Sequence, residues 1–388
     1  MRISILALGA LWSITGIGQG ETVKDVYLNI KDFGAVGDGV ADDTAALQQA
    51  MKEARSGNGV VYFPTGTYAI HPVQVPSHIT LKGDSNWAYE NKGGKDPDFR
   101  GLTTLKALSA DGRALLDCFD TRGTRIVGLT LDGNRQGKDL HGIYARHTGC
   151  ELHLVVEDCR INHFSGSGIR LEKAWVFAIR RCLIMRNRGH GIDCTGGYDG
   201  WVIDTMLTAN KGAGFYARGE APEGMSEDEK KDVAFFGSAS VMLTASRIEW
   251  NQGGGVIFNG ANSMQINGCS IDHNFGPGVM MTDSTANTVT GCKIRTNGVD
   301  QEGEMSCQIK LEDCRGTVVT GNTLWGWFDR GEHDYNKADP LYGIIVKNLT
   351  GSVISQNAMF ESSSREGVLD HGGHKETVIR DNMYLKPE

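Results

Sequence analysis

The chain has 388 residues, 52 of them glycine and only 8 proline, and a formal charge of −8. A glycine share of about 13%, against a usual ~7%, without G-X-Y triplets excludes collagen and argues against long helices, whose interiors glycine destabilises. Hydrophobic residues at 40% exclude a disordered chain. The acidic balance argues against a general nucleic-acid binder, which needs a basic face.

The first element is a leader. Met1-Arg2, an apolar run over 3–17 and Gly18-Gln19-Gly20 have the shape of a secretory signal over 1–20. The expected mature chain, 21–388, is a single domain that is secreted and extracellular, or periplasmic in a bacterium. The apolar run is shorter than the ~18 residues of a membrane span, so no stable membrane insertion is expected. Asp42-Asp43-Thr44 then starts an apolar pattern through Leu47, Ala50, Met51 and Ala54. This predicts a helix over about 43–56, covering the N-terminal end of a core. Strand-like runs follow at 59–64 and 79–81.

From residue 159 the chain repeats itself. Cys159, Cys182, Thr205, Ser246, Cys269 and Cys292 each open a block. The template is small residue, x, aliphatic, x, x, Asn, x, Gly, x, Gly, aliphatic. Four of the five steps are 23 residues and one is 41. Asn322, Asn357 and Asn382 continue the first position. Such a period, with short β-type runs, predicts a solenoid with one coil per repeat, stacked at about 4.8 Å. Glycine and asparagine at fixed offsets are expected to supply positive-φ corners. The nine cysteines fall partly on the stacked position, as free buried thiols or as disulfides between neighbouring coils.

Lys31-Asp32-Phe33-Gly34-Ala35-Val36-Gly37-Asp38-Gly39, Asp42-Asp43-Thr44 and Val60-Val61-Tyr62-Phe63-Pro64-Thr65-Gly66-Thr67-Tyr68 resemble the N-terminal module of the pectate-lyase-like superfamily. Leu129-Thr130-Leu131-Asp132-Gly133-Asn134-Arg135 is similar to it too. The resemblance implies an all-β, right-handed parallel β-helix with an N-terminal capping helix. Its coils to about residue 325 resemble the catalytic module of mannuronan C5-epimerases. Those enzymes carry Asp-Pro-His-Glu after a G-x-G; here the position reads Gly168-Ile169-Arg170-Leu171-Glu172-Lys173. Gly137-Lys138-Asp139 looks like the family's basic element, and Gly189-His190-Gly191 resembles an element of polygalacturonases.

Alternation along each strand turns the first and third residues after the corner glycine inward and the second and fourth outward. The outward pairs are Tyr144/Arg146, Arg170/Glu172, Asp193/Thr195 and Tyr216/Arg218 on successive coils. Arg170, Glu172, Asp193, Tyr216 and Lys138 are the catalytic candidates. Tyr144, Arg146, Lys173, His190 and Arg218 are the substrate-binding candidates. Arginines hold the carboxylates of acidic sugars, and tyrosines stack on rings or move protons. His141 and His190 sit at turns beside these rows. Insertions at about 85–100, 219–235, 298–305 and 326–340 are expected to form loops.

The expected substrate is a polysaccharide or oligosaccharide, with no nucleic-acid partner. The expected reaction is C5 proton abstraction from a uronic-acid residue, as in a lyase or epimerase. The alternatives are a glycoside hydrolase or glycosyl transferase using Glu172 and Asp193 as its carboxyl pair, and a non-catalytic carbohydrate-binding β-helix. No residue cluster demands a metal; Ca2+, used by β-helix lyases of the resembling superfamily, is compatible. The oligomeric state is expected to be monomer or homotrimer.

Overall fold

The computed structural model describes residues 27–57, 59–84, 103–146, 153–219, 237–299, 301–326 and 339–385. The expected leader and most of the expected loops at 85–100, 219–235 and 326–340 lie outside the described residues. The described part of the insertion at about 298–305 contains the short 3-10 segment Gly303–Met305.

Each coil gives one strand to each of three parallel sheets. One coil runs through Leu154–Glu157, Arg160–Asn162 and Ile169–Glu172; the next repeats this with Trp175–Arg180, Leu183–Met185 and Ile192–Thr195. Among the described residues the first two sheets have 13 strands each and the third has 11. The architecture is the right-handed parallel β-helix.

Inward residues stack on their equivalents. Ile143, Ile169, Ile192, Phe215, Val256 and Val279 form one column of the third sheet and are fully buried. They belong to a single core running from Ile30 to Met359. Each such side chain contributes about 1.5–3 kcal/mol relative to exposure.

The helix Thr44–Arg55 covers the N-terminal end with Leu47, Ala50, Met51 and Ala54. Asp43 is its N-cap residue, but its carboxylate does not cap. It accepts instead from Val36 N–H at 2.6 Å and Gly37 N–H at 3.1 Å, tying the entry turn to the helix.

The role of the repeated glycines differs from the expected one. Of the G-x-G pairs, nearly all have ordinary φ; one positive-φ corner sits just before the stacked position, at Asp158, Arg181, Asp204, Ala245, Gly268 and Gly291, and another just before the template asparagine, at Arg186, Ala209, Trp250, His273 and Thr296. The G-x-G glycines are there for close approach. A Cβ on Gly191 would meet Gly214 O at 2.6 Å, and one on Gly278 would meet Asn297 Nδ2 at 2.7 Å. The template asparagines likewise form no corner. Asn187, Asn210, Asn251, Asn274 and Asn297 form a buried ladder, each donating Nδ2–H to the next Oδ1 at 2.9–3.0 Å, and Asn297 donates to Gln308 Oε1. The ladder also satisfies turn backbone groups that burial would otherwise leave unpaired.

Eight cysteines are described, and all are free and buried. Cys159, Cys182, Cys269 and Cys292 donate their thiols to carbonyls of the neighbouring coil. Cys150 lies outside the described residues.

Candidate functional site

The outward rows of the third sheet carry the charge that alternation predicts. Tyr144, Arg170, Asp193 and Tyr216 are in register on successive strands. Beside them run Arg146, Glu172, Thr195 and Arg218. Tyr144, Asp193 and Thr195 are buried despite facing outward, and the others are partly buried.

Arg170 organises the cluster. Its Nε donates to Glu172 Oε1 at 2.8 Å and its Nη1 to Asp193 Oδ2 at 2.7 Å. Glu172 Oε2 accepts from the Tyr144 hydroxyl at 2.7 Å, with Arg146 Nη1 3.8 Å away. Burial alone would raise the Glu172 carboxyl. The Tyr144 bond, the Arg170 bond and charge, and the Arg146 charge outweigh burial and hold it below its ordinary value. Burial and the Glu172 bond push the Tyr144 phenol up to about 12. Glu172 and Asp193 are diagonal neighbours as expected, but the Arg170 guanidinium bonds to both.

Three groups on this face keep unused capacity. Asp193 Oδ1 and Arg146 Nε are buried without a hydrogen-bond partner. Among the described residues Arg218 is engaged only through Nε, which donates to Thr195 Oγ1 at 3.1 Å.

A second column, from the turns, borders these rows. His141 Nδ1 accepts from Ser167 N–H at 2.8 Å, Ser167 Oγ from His190 N–H at 3.1 Å, and His190 Nδ1 from Ala213 N–H at 2.9 Å. A ring that accepts at Nδ1 carries its proton on Nε2. Burial holds both imidazoles below their ordinary pKa, with Asp193 opposing and Arg170 assisting the shift. Both are therefore neutral Nε2–H donors at pH 7. Tyr216 stacks on His190 with centroids 4.5 Å apart and planes 8° apart. Gly212 is needed here, because a Cβ on it would come 2.6 Å from His190 Nδ1.

Not every candidate joins the cluster. Lys138 is exposed in its turn, and Lys173 follows Glu172 at φ 46°; neither side chain bonds to the cluster. Two residues enter that repeat reading passed over, and a third, His141, takes a larger part. His141 is part of the column and not only a turn residue. Asp117 is in register with Tyr144, and Arg113 donates to its Oδ2 at 2.8 and 3.1 Å with its guanidinium 4.7 Å from the Tyr144 ring centroid. No G-x-G precedes Ala114–Phe119, so the template does not reach that strand. Among the described residues, no three His, Cys, Asp or Glu side chains converge as a metal site.

Residues 27–110 match the family model described as rhamnogalacturonase A/epimerase, pectate lyase-like, and residues 225–348 match the right handed beta helix region. Mannuronan C5-epimerase AlgE2 of Azotobacter vinelandii is 33% identical over 196 residues, covering 46% of this chain and 18% of that protein. Alginate lyase 7 of the same organism is 27% identical over 194 residues, covering 47% and 21%. The chain thus spans about a fifth of the length of these curated relatives. The A-module of A. vinelandii mannuronan C-5 epimerase AlgE6 superposes with a TM-score of 0.69 at 20% identity, covering 93% of this chain and 100% of that one. At that identity the likeness is one of fold.

Proposed function

We propose, for a chain that belongs to the pectate-lyase-like superfamily of right-handed parallel β-helices, that it is a secreted carbohydrate-active enzyme removing the C5 proton of a uronic-acid residue in a polysaccharide. The observation that carries this reading is the composition of the outward rows. Arg146 and Arg218 keep unused donors, Asp193 keeps an unpartnered oxygen, and His190 keeps a neutral Nε2–H on the same face. The names of two relatives, a mannuronan C5-epimerase and an alginate lyase, support a uronate polymer as substrate.

The C5–H of a uronate lies next to its carboxylate. Removing the proton sends the C–H electron pair into that carboxylate, which then bears a second negative charge. Cations and fixed donors aimed at it lower the barrier. Arg146 and Arg218 neutralise the carboxylate, and His190 Nε2–H donates to the developing charge. Asp193 is the base; with its Oδ1 buried, it takes the proton through the Tyr216 hydroxyl one strand away. Arg170 holds the other Asp193 oxygen through its Nη1. The electron pair then returns by one of two routes. It forms the C4=C5 double bond as the C4–O bond breaks, or it takes a proton from the opposite face. Tyr144, with its high pKa, is suited to donate rather than to accept.

Hydrolysis by Glu172 and Asp193 is less well supported. It needs one carboxyl kept protonated near neutrality, and Glu172 is held in the opposite direction.

The test is incubation with mannuronan, alginate, pectate and a neutral polymer. Absorbance of unsaturated uronate, or NMR-detected inversion at C5, is the expected result. New reducing ends without either would overturn the reading in favour of a hydrolase. Binding with no product at all would leave a non-catalytic β-helix. Arg146→Ala and Arg218→Ala are each expected to lower kcat by about 10²–10³.

A further inference from the structure

The outer face of the third sheet does not end at Tyr144. Asp117 continues its row, and Gln74 continues it again as the Cα partner of Asp117. Gln74 is three strand spacings from Arg170, about 14 Å along the solenoid axis. There the row meets the capping helix. Between the two lies a cavity of about 480 Å³, lined by Gln48, Met51, Lys52 and Arg55 of the helix and by Gln74, Pro76, Ser77 and Asp120 of the sheet and its turns. It adjoins the site rows directly, because Asp120 N–H donates to Arg146 O at 2.8 Å and Gln74 Nε2 donates to Phe119 O at 3.1 Å.

The charge here runs against that of the chain. Lys52 and Arg55 both line the cavity, and both are exposed. Neither makes a salt bridge among the described residues. They sit one helical turn apart (i, i+3), so their side chains share a face. Asp120 is the single carboxylate of the lining. In a protein of net charge −8, two cations left unpaired over a polar cavity make a receptor for an anion. Gln48 and Gln74 add amide donors and acceptors of the kind that read sugar hydroxyls.

We infer that the cavity under the capping helix is a distal subsite for an acidic saccharide, in which Lys52 and Arg55 hold the carboxylate of a sugar about three coils from Arg170. This rests on the proposed uronate substrate, and it adds a length requirement to it. A polymer lying along the axis passes the charged rows at Arg170 and Arg146 and reaches Lys52 and Arg55 only when it is long enough. Short oligomers occupy the rows alone.

The experiment is calorimetric titration of the full chain with a length series of oligomannuronates, with neutral mannose oligomers as control. The wild type, Lys52→Ala/Arg55→Ala and Arg146→Ala/Arg218→Ala are compared. In the wild type, affinity is expected to rise again at the length that spans the three coils. The Lys52/Arg55 variant loses this last rise, about threefold to tenfold for two solvent-accessible ion pairs, and raised salt erases it in the wild type. Lys52→Glu/Arg55→Glu deepens the loss. Identical length profiles in wild type and the Lys52/Arg55 variants would overturn the subsite while leaving the proposed reaction intact. Loss in the Lys52/Arg55 variants, with no turnover of any uronate polymer by the wild type, would keep the subsite and overturn the reaction. No binding of any acidic oligomer overturns both. Both lysine and arginine side chains are exposed on the helix, so unchanged thermal melts are expected to accompany each Lys52/Arg55 variant.

Discussion

Arg170→Met tests the electrostatic account of the site. Among the described residues Arg170 is the sole hydrogen-bond partner of the buried Asp193 carboxylate, through Oδ2, while Oδ1 has none. Removing the guanidinium leaves both Asp193 oxygens unpaired. Breaking a buried pair in this way costs about 3–5 kcal/mol. Glu172 keeps Tyr144 and Arg146, and Arg170 is partly exposed, so the lower end, about 3 kcal/mol at pH 7, is the expected loss. Urea unfolding measures it. Asp193→Asn in the Arg170→Met background is expected to recover about 2 kcal/mol, because the uncompensated charge is gone; the same change in the wild type destabilises. In the wild type the depressed Glu172 contributes stability that is present above its unfolded pKa and is lost as pH falls through its folded pKa. Arg170 is one cause of that depression, so Arg170→Met is expected to shrink this acid-side loss. The reasoning fails if Arg170→Met lies within about 0.5 kcal/mol of wild type at pH 7. It also fails if Asp193→Asn has the same effect in both backgrounds.

Three further outcomes are expected. Asn251→Ala strips partners from Asn210 N–H and from the Leu207 and Glu249 carbonyls, and should cost about 3–5 kcal/mol in urea unfolding, against less than half of that for Asn382→Ala at the part-buried end of its own ladder. On the second sheet, burial and the neighbouring Asp272 push the Glu249 carboxyl up to about 7. The folded state therefore keeps a proton that the unfolded state has released, and stability should fall as pH rises from about 4.5 to 7; Glu249→Gln should flatten that slope, and an unaltered slope would refute the assignment. Burial pushes the Cys118, Cys194 and Cys307 thiols up to about 12, so a thiol-reactive dye at pH 8 should label none of these three until the protein is unfolded.

Much of the site was legible because a solenoid converts sequence distance into spatial distance. A period of 23 residues places Arg170 beside Asp193, and alternation places Glu172 on the same side as Arg170, before any coordinate is known. The N-terminal glycine-rich signature and the capping helix were readable in the same local way. What the repeat could not supply was the reason for its own glycines. A sequence shows where glycine recurs but not whether φ or a neighbouring backbone requires it. Only the packed coils show Gly191 against Gly214 O, and the positive φ at residues such as Arg181 and Asp204.

The same limit governs the chemistry. The sequence by itself determined the coil, the register and the list of outward side chains, because these depend on local periodicity alone. The tertiary structure decided which of those side chains are already engaged. Arg170 is committed to two carboxylates, and Tyr144 to Glu172, while Arg146, Arg218 and Asp193 Oδ1 retain capacity. It also brought His141 into a column with Ser167 and His190, and set Lys52 and Arg55 of the helix over the end of the same rows. Hydrogen-bond partnership and burial depend on side-chain direction and on contacts between coils and cap. Neither is written in a period.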